Sequence, residues 1–256
     1  MFYKFHENGS RSYVPLEGLY QNGTCFLIGG SPKLLQEDLT LFQQRGVVTV
    51  AMNNSAETVK PNLWIGGDNP ACYSKRLIKD PSILKLARFN RGHIPVEGLP
   101  WKFYPNTLFY WLRNENYFTE RNFLKPDKGI VWWSNTWWIA LQLLWRLGFR
   151  TVFLCGCGFT ISKEEQYSWK TNLDNDEIAR NTRLYNKTVD RMNRMQTLFD
   201  DNGYNIVNCT QDSPLEDTYG YMELPVAIEM VTKTIPAFDP TKIVHSSKVA
   251  KVTKVD

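Results

Sequence analysis

The sequence predicts an α/β protein built on a mainly parallel β-sheet with helices packed on its faces. Short apolar runs of strand length alternate along the chain with segments of helical periodicity, which is typical of strand–helix–strand units. The chain has 256 residues, of which 43% are hydrophobic, enough for one substantial core. We therefore expect a single α/β domain over residues 1–240.

Five apolar runs are predicted to form the strands of this sheet. Each is five or six residues long and is followed by small or polar residues that favour turns. The predicted strands lie at residues 24–29, 47–52, 62–66, 151–155 and 204–209.

Four helices are predicted between and after these strands. The first is capped by Ser31, has Pro32 at its first position, turns Leu35 towards the core and ends at Gly46. The second is apolar nearly all round and should be buried against the sheet. The second, third and fourth helices are predicted at about residues 135–147, 176–200 and 223–233.

Residues 85–133 lack a clear period and are rich in aromatic side chains. Long irregular segments within compact domains often cover a functional site. We therefore predict an insertion at about 85–133 whose residues 101–123 form a lid.

The last sixteen residues form a basic tail. Residues 241–256 hold four lysines and one aspartate, so they contribute +3 of the net charge of +4. A nearly neutral body does not predict nucleic-acid binding, whereas a flexible tail of this charge could attach to an anionic polymer.

Hydropathy and cysteine spacing exclude several classes of protein. No uninterrupted apolar run reaches the 18 residues of a membrane span, and the N-terminus lacks a secretory pattern. The five cysteines are odd in number and include no CxxC pair, so we expect reduced thiols and no metal site. These features predict a cytoplasmic protein without a membrane partner.

The loops that follow the predicted strands should meet at one edge of the sheet, where parallel sheets bind ligands. Each loop alone is typical of an ordinary turn, but five small, polar loops at one edge predict a ligand cleft. Ser31, at a predicted helix N-terminus, would favour a phosphate. The loops begin at Gly29-Gly30-Ser31, Asn53-Asn54, Asp68-Asn69, Gly156 and Thr210, the last including Ser213.

Two residues are candidates for catalysis. Asp68 could deprotonate a hydroxyl group or hold a divalent ion, or it could instead cap a helix that starts near Pro70. Tyr185 could act as an acid or stabilise a leaving phosphate, or it could be a core contact. The dinucleotide-binding and P-loop fingerprints are both absent.

Two segments resemble a known family. The stretch FLIGGSPKL followed by VVTVAMNNS is similar to the opening of the bacterial family 42 sialyltransferases and the related DUF115 domains. The stretch SNTWWIALQLLWRLGFRTVFLCGCGF is similar to their Ser/Thr-rich turn, helix and strand ending in Gly-x-Asp-Phe. Gly158 replaces that aspartate, and no histidine stands near residues 176–186, where the sialyltransferases carry their catalytic histidine.

The resemblance implies a Rossmann-like sheet in the sialyltransferase variant of the GT-A type and a nucleotide-sugar site without a required metal. It implies a cytoplasmic glycosyltransferase, in a bacterial or phage-infected cell, that acts on a hydroxyl acceptor, which the basic tail would allow to be DNA. Two alternatives stay open: a Mg²⁺-dependent phosphotransferase of the DUF115 kind, and a non-catalytic nucleotide- or DNA-associated module. The donor-binding residues that the resemblance implies are Gly29, Gly30, Ser31, Asn53, Asn69, Asn135, Thr136 and Ser213. Asn54 and Gly156 are added as candidates by their places in the loops after the strands.

Overall fold

The computed structural model describes residues 2–113, 120–125, 130–131, 135–169 and 172–233. In chain order the strands are β1 (Phe2–Phe5), β2 (Arg11–Val14), β3 (Gly23–Ile28), β4 (Thr49–Met52), β5 (Leu63–Gly66), β6 (Leu84–Arg88), β7 (Pro95–Val96), β8 (Leu99–Pro100), β9 (Thr107–Tyr110), β10 (Leu112–Arg113), β11 (Ile130–Val131), β12 (Phe149–Cys155) and β13 (Asn205–Asn208). The helices are α1 (Lys75–Lys79), α2 (Thr136–Leu147), α3 (Asn175–Asp201), α4 (Glu216–Tyr219) and α5 (Leu224–Lys233).

Within the described residues, nine strands form one sheet in the order β13-β12-β3-β4-β5-β6-β9-β1-β2. The strands from β13 to β9 are parallel, and β1 and β2 add two antiparallel strands at one end. The chain builds outwards from β3 in one direction and later returns to place β12 on the other side of β3. The loops after β3 and β12 therefore leave in opposite directions and open a crevice.

The predicted class, an α/β protein with a mainly parallel sheet, is confirmed. The five predicted strands correspond to β3, β4, β5, β12 and β13, with ends shifted by up to two residues. Strands β6 and β9 were not predicted and lie within or at the border of the segment predicted as an insertion. That segment therefore contributes strands to the central sheet as well as the loops beside it.

Apolar side chains from alternate strand positions pack on both faces of the sheet. Cys25 and Leu27 contribute to the core under α2 and α3, whereas Phe26 and Ile28 face the opposite core, which includes α1 and α5. Strands covered on both faces have continuous apolar sequences, which explains why apolar runs identified these five strands.

Helix α2 matches its prediction closely. Asn135 caps its N-terminus, and the helix ends at Gly148, whose φ of 101° lies in the left-handed region. Nearly all of its side chains are buried, as its apolar sequence predicts. Helices α3 and α5 also form at the predicted positions.

The first predicted helix is wrong. Two 3₁₀ turns replace it, at Pro32–Gln36 and Leu39–Gln43, because Asp38 accepts a hydrogen bond from the Thr40 amide and starts a new turn. Leu35, predicted to face the core, is 56% exposed. The cap at Ser31 does form, with its Oγ 3.4 Å from the Lys33 amide nitrogen.

Parts of two predictions fall outside the described residues, namely the basic tail at 241–256 and residues 114–119 of the predicted lid. In the part of the chain that the structure describes, no helix combines the length and apolar character that crossing a membrane requires.

Candidate functional site

A cavity of about 430 Å³ opens at the crevice between the loops that follow β3 and β12. This volume is in the range of small-molecule sites. Loops after β4 and β5, the start of α2 and one face of α3 complete its walls. Most of the predicted site residues line it: Gly29, Gly30, Ser31, Asn53, Asn54, Asp68, Asn135, Thr136, Gly156 and Tyr185.

Two predicted residues do not line the cavity. Asn69 is exposed, and its side chain accepts a hydrogen bond from the Ala71 amide to cap a short 3₁₀ turn. The capping role that was considered for Asp68 is therefore performed by Asn69. Ser213 is buried, and its Oγ donates to the Cys157 carbonyl oxygen at 3.0 Å.

Gly29 and Gly156 allow the loops after β3 and β12 to touch. The Gly29 amide donates to the Cys155 carbonyl at 2.7 Å, and the Ser31 amide donates to the Gly156 carbonyl at 2.8 Å. A Cβ atom at Gly29 would lie 2.4 Å from the Gly156 oxygen. Gly29 is therefore required by contact between two protein loops, whereas the sequence suggested contact with a ligand.

Residues 159–169 cover the cavity at its other side. Tyr167 and Trp169 are stacked at 4.6 Å with an interplanar angle of 5°, and both rings lie against Gly30. The Ser168 amide donates to the Gly30 carbonyl, and its hydroxyl is 2.8 Å from that of Thr58.

The predicted lid at 101–123 does not line the cavity in its described residues. Trp101 is buried near Trp64 on one side of the sheet, and Phe123 packs against Trp138 and Phe199 in the other core. The aromatic residues of this segment serve packing instead, and the cover comes from residues 159–169.

Asn53 is held by two buried aromatic residues. Its φ of 50° is in the left-handed region, and Trp64 Nε1 donates to its carbonyl oxygen at 2.7 Å. The Tyr73 hydroxyl donates to Asn53 Oδ1 at 3.2 Å and accepts from the Asp68 amide at 2.8 Å. Because Oδ1 accepts from Tyr73, the Nδ2 donor group of Asn53 is the part of the amide available to a ligand.

The start of α2 provides a second group of donors. Asn135 Oδ1 caps the Trp138 amide and its Nδ2 donates to Thr188, so both ends of this side chain have protein partners. The first turn, including Thr136 and Trp137, lines the cavity. Backbone N–H groups at a helix N-terminus favour an anionic group.

Tyr185 lies on α3 beside the cover. Its hydroxyl donates to the Tyr167 hydroxyl at 3.1 Å, and Asn181 donates to the same oxygen at 3.2 Å. Burial raises the pKa of Tyr185 and also that of Tyr167. Both phenols are therefore neutral at physiological pH and can donate hydrogen bonds, but they cannot act as bases.

We expect the raised pKa of Tyr185 to make the fold less stable at alkaline pH. A phenol whose pKa is raised in the folded state holds its proton there while the unfolded chain releases it, so stability falls as the pH rises above about 10. The loss is up to about 1.4 kcal/mol per pH unit for each such group. Thermal unfolding followed between pH 8 and 11 should show a shallower alkaline decline in Tyr185→Phe; an unchanged slope would contradict this assignment.

The loop after β12 contains a strained residue. Phe159 has a φ of 48°, which is rare for a bulky side chain, and its ring packs edge-on against both Trp137 and Tyr185. Strain of this kind persists where surrounding contacts impose it and is common at functional sites.

The cysteines are free thiols. Burial raises the pKa of Cys157 beside the cavity, which makes this thiol unreactive, whereas Cys72 is exposed at the rim. Within the described ranges, no three His, Cys, Asp or Glu side chains come together as they would in a metal site.

Sequence reasoning missed part of the site. Asn181, Leu184 and Tyr185 stand at positions i, i+3 and i+4 of α3, so helical spacing could have identified the first two from Tyr185. Tyr167 and Trp169 stand in an irregular polar segment that gives no periodic signal.

No model of a known protein family, no curated protein and no solved structure matches this chain.

Proposed function

We propose that the chain is a glycosyltransferase that binds a nucleotide-activated sugar in this cavity and transfers the sugar to a hydroxyl acceptor. The observation that supports it most is the convergence of the α2 N-terminus, the Asn53 amide and the Asp68 carboxylate on one cavity at the switch point of a parallel sheet. The resemblance of the β3 and α2–β12 segments to sialyltransferases and DUF115 domains favours the same proposal.

The phosphate of the donor would be held by neutral groups. No lysine or arginine side chain lines the cavity among the residues that the structure describes. The backbone N–H groups of the first turn of α2 and the Asn53 Nδ2 group are suitable donors for phosphate oxygens. The Tyr167 hydroxyl accepts from Tyr185 and Asn181, so it can donate its own proton in a hydrogen bond to the charge that develops on the leaving group.

Asp68 would be the general base. It is an exposed carboxylate on the cavity wall, held in place through its own amide by Tyr73. As the acceptor oxygen attacks the anomeric carbon, Asp68 would take the hydroxyl proton. The bond from the anomeric carbon to the phosphate oxygen would break, and the nucleotide would leave with that electron pair.

The phosphotransferase alternative requires Mg²⁺ between nucleotide phosphates and carboxylates. Asp68 is the only carboxylate among the described lining residues, which favours the glycosyltransferase. The non-catalytic alternative would retain nucleotide binding without transfer, and the experiments below distinguish it.

We expect a thermal-shift panel of CMP, UDP, GDP, ADP and ATP, with and without Mg²⁺, to identify at least one stabilising nucleotide without Mg²⁺. At a ligand concentration of about 100 times Kd, binding adds about 2.7 kcal/mol to the free energy of unfolding. For a chain of this size, that raises Tm by about 5 °C or more. Asn53→Ala should weaken binding by about fivefold to tenfold, because one hydrogen bond is lost.

Asn69→Ala is the matched control, because Asn69 lies on a neighbouring loop but outside the cavity. Its unliganded Tm can fall slightly through loss of a cap, but its ligand-induced shift should equal that of the wild type. No response to any nucleotide at millimolar concentration would contradict the proposal. A response to ATP alone that requires Mg²⁺ would support the phosphotransferase instead.

A further inference from the structure

Four aromatic side chains form a continuous strip at the end of the sheet where β9, β1 and β2 pair. Tyr13 packs on Tyr3 with ring centroids 6.3 Å apart, Tyr3 on Phe89 at 5.7 Å, and Phe89 on Trp111 at 4.7 Å. Trp111 is 50% exposed and Tyr13 is 46% exposed. Large aromatic side chains grouped at the surface in this way are typical of interaction sites.

The aromatic strip begins on the same edge of the sheet as the candidate site. Phe89 directly follows β6 and Trp111 directly follows β9, and both strands run parallel to β5, which Asp68 follows by two residues. Arg88, next to Phe89, lies within electrostatic reach of Asp68. The aromatic strip therefore extends from the Asp68 side of the cavity towards the antiparallel end of the sheet.

Guanidinium groups accompany the rings. Arg11 lies 5.7 Å from the centre of the Tyr3 ring and 5.3 Å from that of Phe89. Arg88 and Arg91 stand one residue before and two residues after Phe89 in the chain. Among the described residues, the Glu17 carboxylate also borders the aromatic strip and accepts from the Tyr13 hydroxyl. Arg11 thus places a positive charge over two of the four rings.

We propose that the aromatic strip binds single-stranded nucleic acid. Aromatic rings on which bases stack, together with arginine groups that meet phosphates, form the general means by which proteins hold unpaired strands. A duplex fits less well, because its base faces are already covered by neighbouring bases.

A protein partner is disfavoured by area. Four partly exposed rings offer on the order of a few hundred Å². A stable protein interface buries about 800 Å² on each partner. A single strand can bind through a few stacked bases, and the area of the aromatic strip is large enough for them.

The test is fluorescence anisotropy of a labelled oligothymidylate of about 12 nucleotides with the full chain, a length that suits a site of this kind. We expect Trp111→Ala to weaken binding by about tenfold, because one stacked base is lost. Arg11→Ala should weaken it by about tenfold as well, because a charged contact with a phosphate is lost. A duplex of the same length should bind at least about tenfold more weakly than the single strand. The assay contains no sugar donor, so its failure is separate from failure of the proposed glycosyltransferase function.

Met230→Ala is the matched control, because Met230 is 52% exposed on α5, which packs near the Leu39–Gln43 turn and away from β1 and β2. It should bind the oligonucleotide as the wild type does. Equal binding by the wild type, Trp111→Ala and Arg11→Ala would overturn the proposal and leave the basic tail as the contact. Absence of binding, with self-association in sedimentation that Trp111→Ala abolishes, would overturn it in favour of a second copy of the chain.

Discussion

Replacing Gly29 by alanine is expected to lower the free energy of unfolding by about 2 to 3 kcal/mol, a typical effect of overpacking a rigid site. The new Cβ atom would lie 2.4 Å from the Gly156 oxygen, 2.9 Å from the Gly156 carbonyl carbon and 2.8 Å from Cys157 Sγ. Two of these atoms belong to backbone, which side-chain rotation cannot move. Urea denaturation should show a lower midpoint with an unchanged m-value. A loss below about 0.5 kcal/mol would mean that the two loops separate easily.

Gly30→Ala is the matched comparison for this prediction. Its Cβ atom would meet ring atoms of Trp169 at 2.7 Å and of Tyr167 at 3.0 Å, and no backbone is among its nearest neighbours. Rings at the surface can shift, so stability should fall by less than about 1 kcal/mol. The stacked cover should move instead, which a change in tryptophan fluorescence would report. Equal destabilisation by both substitutions would contradict the distinction between backbone and ring contacts.

The strands that could be predicted are those with both faces covered. In β3 every side chain from Cys25 to Ile28 is buried, so the apolar run has no interruption. Strand β6 was not predicted because Lys85, its second residue, interrupts the apolar run. That lysine is fully buried, with Nζ donating to the carbonyl oxygens of Asp80 and Ile83, and burial lowers its pKa to about 8. A hydropathy pattern cannot predict a buried lysine whose ammonium group is hydrogen-bonded to backbone carbonyl oxygens.

The aromatic richness of residues 101–123 misled the interpretation of that segment. The rings of Trp101 and Phe109 instead pack into the core on one face of the sheet, where Trp101 contacts Trp64 of β5. The true cover at 159–169 is polar in sequence and takes its position from individual hydrogen bonds, such as that from the Ser168 amide to Gly30. Contacts of this kind join residues that are far apart in the chain, so the local sequence does not predict them.

The loops around the cavity could be predicted because topology brings them together. Once the strands are parallel, the residues after them must share one edge, and this places Asn53, Asp68 and Gly156 on one cavity. Which side chain of a loop caps the next turn, and which one faces the cavity, depends on competition between neighbouring side chains for the same backbone N–H groups. Asn69 caps the turn after β5, which leaves Asp68 beside it without that role.

Replacing Asp68 by asparagine is expected to reduce sugar transfer by about 10²- to 10⁴-fold, the usual contribution of a general base, while nucleotide binding is retained. Asparagine keeps the shape of the side chain and the backbone bond to Tyr73, but it cannot accept the hydroxyl proton. Hydrolysis of the donor selected by the nucleotide panel provides the measurement, because water then serves as acceptor. Asp212→Asn is the control, since Asp212 is an exposed carboxylate that pairs with Lys33 outside the cavity. Hydrolysis within about threefold of the wild type in Asp68→Asn would contradict the assignment of the base, and loss of nucleotide binding in that variant would make Asp68 a binding residue.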